Sequence, residues 1–320
     1  MQGDQELNLL IVGAFALVAI LIVIALLWTS RTQEKPGELP SATFPPAPHA
    51  PIWNGWRRFK VRKRVDEDPA GQYVSFYLCP VNRRRLPAFE PGQHVQLRVE
   101  VPDPDHEGRM KDLIRTYYLS DSANGRYYRI LVQRVSENGG LANYLVKHLQ
   151  KGALVELTAP AGDRPFDLTE AKPLVLLGSG AGLAPMMSLC NTLIDRKINR
   201  SLTFIYSMSN AEELIYLPNM EYAAGHLPSI RVELCFSETM PEGTVDGATS
   251  GDGVVYRKAS LGTAFLRKSL NLPEHRYYIC GPGEALDTLA ADLEALGVPG
   301  DQIHRAGFAE AAPTTTGRTR

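Results

Sequence analysis

The stretch that most constrains the fold is Pro173-Leu174-Val175-Leu176-Leu177-Gly178-Ser179-Gly180-Ala181-Gly182-Leu183-Ala184-Pro185. An apolar run too short for a helix, closed by glycines, reads as a strand buried on both faces that turns directly into a helix. The helix is expected from Ala184 to about Ile194. Leu202-Thr203-Phe204-Ile205-Tyr206, Ile230 to Phe236 and Tyr277-Tyr278-Ile279-Cys280 repeat the buried-strand pattern, and a helix is expected from about Glu284 to Leu296. Buried strands alternating with helices imply an α/β doubly wound parallel sheet. Such sheets bind ligands at the carboxyl ends of their strands. A glycine turn there lets the backbone approach a pyrophosphate, whose charge meets the helix N-terminal amides. Gly178, Gly180, Gly182 and Pro185 are therefore candidates for a dinucleotide site, together with Cys280, Gly281 and Pro282 at the end of the late strand. Taken singly, the glycines also fit an ordinary strand-to-helix turn, and the cysteine a small buried hydrophobe.

The residues before this segment read differently. From Arg57 to about Leu168 the signals are β: Phe59-Lys60-Val61, Tyr73 to Leu78, His94 to Val99 and Tyr127 to Val132, punctuated by Asn82 and Pro91-Gly92. Short strands at this spacing imply an antiparallel barrel. One helix opens near Gly139-Gly140 and runs through Leu149. Arg115-Thr116-Tyr117-Tyr118-Leu119-Ser120 ends a barrel strand. An arginine there can hold a diphosphate by paired hydrogen bonds, and a tyrosine two residues on shares its face and can stack on a flat ring. The glycine turn Asn138-Gly139-Gly140-Leu141-Ala142 could hold the same diphosphate through its amides. The plainer readings are a surface Arg beside a half-buried Tyr, and a simple helix start.

Leu9 to Trp28 is apolar throughout and carries no charge. About 20 residues suffice to cross a bilayer, so this run reads as a single-pass anchor. A cleaved secretory signal fits less well: Asp4 and Glu6 precede the run where basic residues belong, and no small-residue cleavage site follows. Arg31 and Lys35 beyond the span place the body in the cytoplasm. Glu34 to Pro51 holds prolines 36, 40, 45, 46, 48 and 51 and reads as a semi-rigid linker.

The 320 residues suit two domains, and a net charge of -1 disfavours generic nucleic-acid binding. Cys79, Cys190, Cys235 and Cys280 show no metal-ligand spacing, and no metal site is expected. Two basic clusters stand out, Arg57 to Arg64 and Arg83-Arg84-Arg85. The first could face anionic lipid and the second an acidic protein, or each is a solvated surface.

Together these motifs resemble the ferredoxin–NADP reductase superfamily, in particular the flavohaemoprotein reductase domain and the reductases of oxygenase systems. Phe89-Glu90-Pro91-Gly92-Gln93, Leu157 to Gly162 and Ile303-His304 to Phe308 add to the resemblance, which covers roughly residues 57–308. It implies FAD and a nicotinamide cofactor. Arg115 would hold the FAD diphosphate, Tyr117 would stack on the isoalloxazine, and Gly140, Leu141 and Ala142 would cap the phosphates. Gly178, Gly180 and Gly182 would line the nicotinamide-dinucleotide pyrophosphate site, Cys280 would sit near the nicotinamide, and Phe308 near the flavin. Tyr117, Cys280 and Phe308 are the expected catalytic residues. Three positions depart from the family pattern: Tyr118 replaces the Ser or Thr that reaches flavin N5, Ala142 replaces a phosphate-binding Ser or Thr, and Ala306 replaces a Glu. Ser207-Met208-Ser209-Asn210 carries no Arg for a 2′-phosphate, which favours NADH over NADPH.

The expected organisation is an anchor at 1–30, a linker at 31–56, an FAD-binding barrel at 57–168, an NAD(P)-binding α/β domain at 169–310 and a disordered tail at 311–320. The expected function is a membrane-tethered reductase passing electrons from NAD(P)H through flavin to a separate, membrane-associated protein: a ferredoxin or Rieske-type carrier, an oxygenase or a haem protein. Reduction of a small acceptor such as free flavin, a ferric chelate or quinone is the alternative, and a non-catalytic adaptor with a degenerate flavin site is a third.

Overall fold

In a computed structural model of the chain, the described residues are 36 and 52–308, apart from 104, 105, 107, 136–139, 163–165 and 271. The expected anchor Leu9–Trp28, nearly all of the linker and the tail at 311–320 lie outside the described residues. Among the described residues no helix is long and apolar enough to cross a membrane.

The first half is one antiparallel sheet. Its strands are β1 (Arg57–Asp66), β2 (Tyr73–Pro80), β3 (His94–Pro102), β4 (Met110–Tyr118), β5 (Tyr128–Gln133) and β6 (Leu154–Leu157), in the order β4-β3-β6-β1-β2-β5. The outer strands β4 and β5 touch through a bridge between Leu119 and Ile130, so the sheet curls shut at that end. Alternation decides the inner face: Phe59 and Val61 point into the core while Arg58, Lys60 and Arg62 stay exposed. The buried Asp68 fixes the β1–β2 turn by accepting the amides of Gln72 (3.0 Å) and Tyr73 (2.6 Å). Helix α1 (Gly140–His148) lays Leu141, Ala142, Leu145 and Val146 against this core.

The second half is a parallel sheet of β7 (Leu174–Ser179), β8 (Leu202–Met208), β9 (Ile230–Phe236), β10 (Val254–Lys258), β11 (Arg276–Pro282) and β12 (Ile303–Phe308), ordered β10-β9-β8-β7-β11-β12. Both faces are covered, which is why its strands are nearly all apolar. Leu174, Leu176, Phe204 and Tyr206 pack on the side of α2 (Leu183–Asp195) and α3 (Leu217–His226). Val175, Leu177, Ile205 and Ile279 pack on the side of α4 (Thr263–Ser269) and α5 (Gly283–Ala295). The strand order reverses between β7 and β11, the position where doubly wound sheets leave a crevice for ligands.

A buried polar seam joins the two lobes. Asp121 accepts Tyr127 Oη (2.8 Å) from its own lobe and Asn191 Nδ2 (2.9 Å) from α2, and its backbone carbonyl accepts Ser188 Oγ (2.9 Å). Arg129 is 2% exposed. Its guanidinium donates to Ser120 Oγ (3.0 Å) and lies 4.8 Å over the ring of Tyr216 from the other lobe. Tyr216 Oη in turn bonds Ser75 Oγ at 2.5 Å. At the edge, Arg196 makes two 2.9 Å bonds to Glu90. A buried guanidinium is tolerated only when its donors and its charge are met, and these partners come from both lobes.

Candidate functional site: a nucleotide crevice and a flavin grip

The turn from β7 into α2 carries the three predicted glycines, and each is required for a different reason. Gly180 has φ +52°, the left-handed region that side chains avoid. Its carbonyl accepts Tyr206 Oη at 3.3 Å, and the next amide, Ala181, donates to Gln133 Oε1 at 3.3 Å. Gly182 has ordinary helical geometry (φ −58°), but a Cβ there would strike the Cys280 carbonyl, with the Cys280 carbon at 2.5 Å and the Gly281 amide nitrogen at 2.9 Å. On Gly178 a Cβ would strike Met186 Sδ, and on Gly281 it would lie 2.9 Å from Ser179 Oγ. The ends of β7 and β11 are therefore packed backbone against backbone. Pro185 is buried within the first turn of α2, where a missing amide is harmless.

Above these strand ends lies a crevice of about 520 Å³. Ser179, Ser207 and Ser237 line it from β7, β8 and the end of β9; Gly281, Pro282 and Glu284 line it from β11 and the start of α5. It therefore offers hydroxyls, backbone and one carboxylate, and among the described residues no cationic side chain lines it. Cys280 borders the crevice, but its thiol donates to the Ala306 carbonyl at 3.1 Å and is buried. Burial pushes that thiol well above its ordinary pKa, so the sulfur is a neutral packing group. Phe308 ends β12, in register with Pro282.

The other grip is on β4. Arg115 is half-buried, and Tyr117, two residues on and on the same face, is 7% exposed. Among the described residues the buried Tyr117 hydroxyl, beside the Arg115 guanidinium, meets no partner at full hydrogen-bond geometry. Burial raises its pKa, against an opposing pull from the Arg115 guanidinium. Leaving such a hydroxyl unmet costs about 1–3 kcal/mol, a cost that a ligand with an acceptor at this point removes. Leu141 and Ala142, in the first turn of α1, share the core cluster of Tyr117, and Gly140 opens the helix at φ +50°.

Tyr118 alternates to the opposite face. Its ring meets His94 edge-on at 5.8 Å and packs against the core of the parallel lobe. There Tyr278 of β11 stacks on His304 (5.0 Å) and meets Phe166 (4.4 Å), and its electrostatic neighbours are Cys280 and Tyr118. The structure thus brings the end of β4 against β11: the two predicted groups converge through Tyr118 and Tyr278.

The chain is similar in sequence and fold to proteins of known kind. The family model of the oxidoreductase NAD-binding domain matches residues 176–289. A flavohemoprotein of Halalkalibacterium halodurans is 30% identical over 264 residues, covering 81% of this chain and 61% of that protein. The crystal structure of the flavohem-like FAD/NAD-binding domain of nitric oxide dioxygenase from Vibrio cholerae superposes with a TM-score of 0.64 at 27% identity, over 79% of this chain and 98% of that one. The chain has the ferredoxin reductase-like FAD/NAD-binding fold. An Amycolatopsis cytochrome P450 reductase shares the fold at TM-score 0.62 and 24% identity, over 80% of this chain and 71% of that one. The chain spans 61% of the length of the first flavohemoprotein it matches. It is an NAD(P)H-dependent flavin oxidoreductase with FAD- and NAD(H)-binding lobes, and the orphaned Tyr117 hydroxyl beside Arg115 fits the flavin.

Sequence reasoning did not single out Gln133, Tyr206 or Ser237, and it read Ser207 only as part of a stretch without an Arg for a 2′-phosphate. Ser207 and Ser237 carried a usable signal: each lies at the carboxyl end of a buried apolar strand, where the doubly wound fold places its ligands. Gln133 and Tyr206 carried none, because they reach Gly180 from β5 and β8.

Proposed function

We propose that the chain is a membrane-tethered reductase that takes a hydride from NADH and passes electrons through FAD to a separate protein acceptor. The observation that carries this reading is the convergence of the β4 grip and the β7–β11 crevice through Tyr118 and Tyr278, held by the polar seam. A bound flavin accepts a hydride and can release electrons singly. The protein's share is grip, orientation and exclusion of water. Arg115 holds the diphosphate, Tyr117 packs on the flavin and spends its unmet hydroxyl there, and Gly140, Leu141 and Ala142 offer backbone amides. Gly178, Gly180 and Gly182 shape the dinucleotide turn, Gly281 and Pro282 floor the crevice, and Phe308 closes β12 beside it. Cys280 acts as a small wall with its sulfur turned away, so it orients the nicotinamide by shape and not by nucleophilicity.

Tyr118 brings an aromatic face to the place where the family carries a small hydroxyl residue. NADH is the preferred donor. Among the described residues the crevice lining carries no cation, and a second pocket of about 230 Å³ beside Gln133 is lined by Asp68, Glu212 and Glu213, a field that repels a 2′-phosphate.

The acceptor is a redox protein at the same membrane, such as a ferredoxin or Rieske-type carrier, an oxygenase or a haem protein, brought to high local concentration by the shared bilayer. The test is the full chain purified in mild detergent. A visible flavin band and NADH oxidation that is faster with a carrier protein than with ferric chelate or free flavin are expected. A colourless protein sinks the flavin reading, and faster turnover of the small acceptors sinks the protein acceptor.

A further inference from the structure

The exposed members of the two basic clusters of the sequence adjoin at the start of β1 in the fold. The Arg57 guanidinium donates to Asn82 Oδ1 (2.8 Å) and to the Arg84 carbonyl (3.0 Å), which seats the 83–85 loop on the start of β1. The Val81 amide donates to the Arg58 carbonyl at 3.1 Å, and the Leu86 amide to the Gly125 carbonyl at 3.0 Å, which brings Arg126 to the same side. Arg62 and Arg126 both act electrostatically on Cys79, the cross-strand partner of Lys60. Arg58, Lys60 and Arg62 alternate outward along β1, and Arg83 and Arg84 are exposed. Among the described residues, no ion pair involves any of these five side chains. The acid nearest in register, Glu156 opposite Arg58, is held by Arg98. Apolar side chains stand among these charges: Val81, bonded to the Arg58 carbonyl, is 46% exposed, and Leu154, opposite Lys60, is 47% exposed. A chain with a net charge of −1 thus concentrates cations on one face.

Where the chain enters this face selects the occupant. Trp53 lies 5.0 Å under the Arg57 guanidinium and packs on Phe59, so the polypeptide joins β1 next to Arg58, at the edge of the patch. The preceding sequence is the Pro-rich linker, and before it the uncharged run that ends at Trp28. Cations interleaved with exposed aliphatic groups, placed where a membrane-borne linker arrives, match an anionic lipid surface. The cations meet headgroup phosphates and the aliphatic side chains enter the interface. We infer that this face of the barrel (Arg58, Lys60, Arg62, Arg83 and Arg84 with Val81 and Leu154) rests on the anionic lipid surface to which the chain is tethered. This rests on the tether reading given above. It adds that the body is held in one orientation, with β1 toward lipid, and does not swing freely on its linker.

The test uses the one cysteine that is not buried. Cys79 sits in the patch, while Cys190, Cys235 and Cys280 are buried. The full chain, labelled at Cys79 with a thiol-reactive fluorophore, is reconstituted into vesicles whose headgroups carry an energy acceptor. Transfer should be strong in phosphatidylcholine mixed with phosphatidylglycerol, weak in phosphatidylcholine alone, and lost as salt approaches about 0.5 M. The Arg58→Glu, Lys60→Glu, Arg62→Glu variant should behave in the anionic vesicles as the parent does in neutral ones. Its docked fraction should fall on the order of a hundredfold, from roughly fivefold per basic residue at an anionic surface. Its unchanged NADH oxidation with ferricyanide would show that it is folded.

Equal transfer in both lipids, or an unaffected variant, overturns the inference; flotation of the chain with neutral vesicles would leave the tether standing. Chain that leaves neutral vesicles but docks on anionic ones supports the inference and sinks the tether. Shielding of Cys79 by an acidic redox protein, with no lipid dependence, overturns the inference in favour of a protein partner.

Discussion

Gly182→Ala isolates the packing of the dinucleotide turn on β11. The backbone at Gly182 is helical, so alanine adds no conformational strain, and it lowers the unfolded-state entropy by an amount worth about 0.4–1 kcal/mol in favour of folding. Against that, the new methyl group lands on the Cys280 carbonyl, 2.5 Å from its carbon and 2.9 Å from the Gly281 nitrogen. These are backbone atoms in the middle of a sheet and cannot rotate away. Overpacking of this kind costs about 1–3 kcal/mol, so a net loss of about 1–2 kcal/mol is expected. In a body of this size that lowers the melting temperature by roughly 3–6 °C. In the proposed function the turn that retreats also presents the dinucleotide amides, and misplacing a positioning group by about 1 Å costs up to 10²-fold. NADH kcat/KM should therefore fall at least about tenfold, while flavin content stays at the parent level. Gly178→Ala is the control. Its methyl group meets Met186 Sδ, the movable part of a thioether side chain, so the loss should be smaller. Thermal melts and steady-state NADH oxidation with ferricyanide measure both. A Gly182→Ala protein with parental melting and kcat/KM, or a Gly178→Ala protein damaged more, would refute the reasoning.

Arg115→Ala should release FAD, read as a lower ratio of flavin to protein absorbance after gel filtration; full flavin occupancy would remove Arg115 from the diphosphate. NADH should exceed NADPH in kcat/KM by about tenfold or more through electrostatic repulsion alone, and Glu212→Lys should narrow the ratio; equal use of the two donors would refute the acidic-field account. Alkali should destabilise the fold. Burial pushes Cys190 and Cys235 up to about 12. Both thiols stay protonated in the folded state while they ionise in the unfolded chain above its ordinary thiol pKa. Stability is thus fully present below about pH 9 and is lost as pH rises toward 12, by roughly 1 kcal/mol per pH unit per thiol. Urea midpoints at rising pH check this, and a flat profile between pH 9 and 11 would contradict it.

The parallel lobe was largely legible in the sequence because burial on both faces leaves continuous apolar runs. Ile230–Phe236 is a strand end to end, and the run at Leu174 ends in the glycines where the sheet reverses order. Elements with weaker signatures went unread. Strand β6 has four residues, β10 is an edge strand whose outer residues are half-exposed, and α3 starts at Leu217-Pro218 with a mixed pattern. The candidate grips at Arg115–Tyr117 and Gly178–Gly182 were proposed from the sequence, but the contacts that hold those two segments in relation to each other were not. Asp121 meets Asn191 and Ser75 meets Tyr216 across 70 and 141 residues, and no local periodicity encodes such pairs. The orientation of the Cys280 sulfur was illegible for the same reason, since Ala306 comes from β12.

Arg129 has its hydrogen bonds in one half of the molecule and a ring above it from the other. Cut between Gly162 and Leu174, each fragment would bare a surface of unmet donors and acceptors that neither water nor local rearrangement replaces well. The body should therefore melt in one calorimetric transition, and the fragments, expressed apart, should be recovered folded only when they are made together.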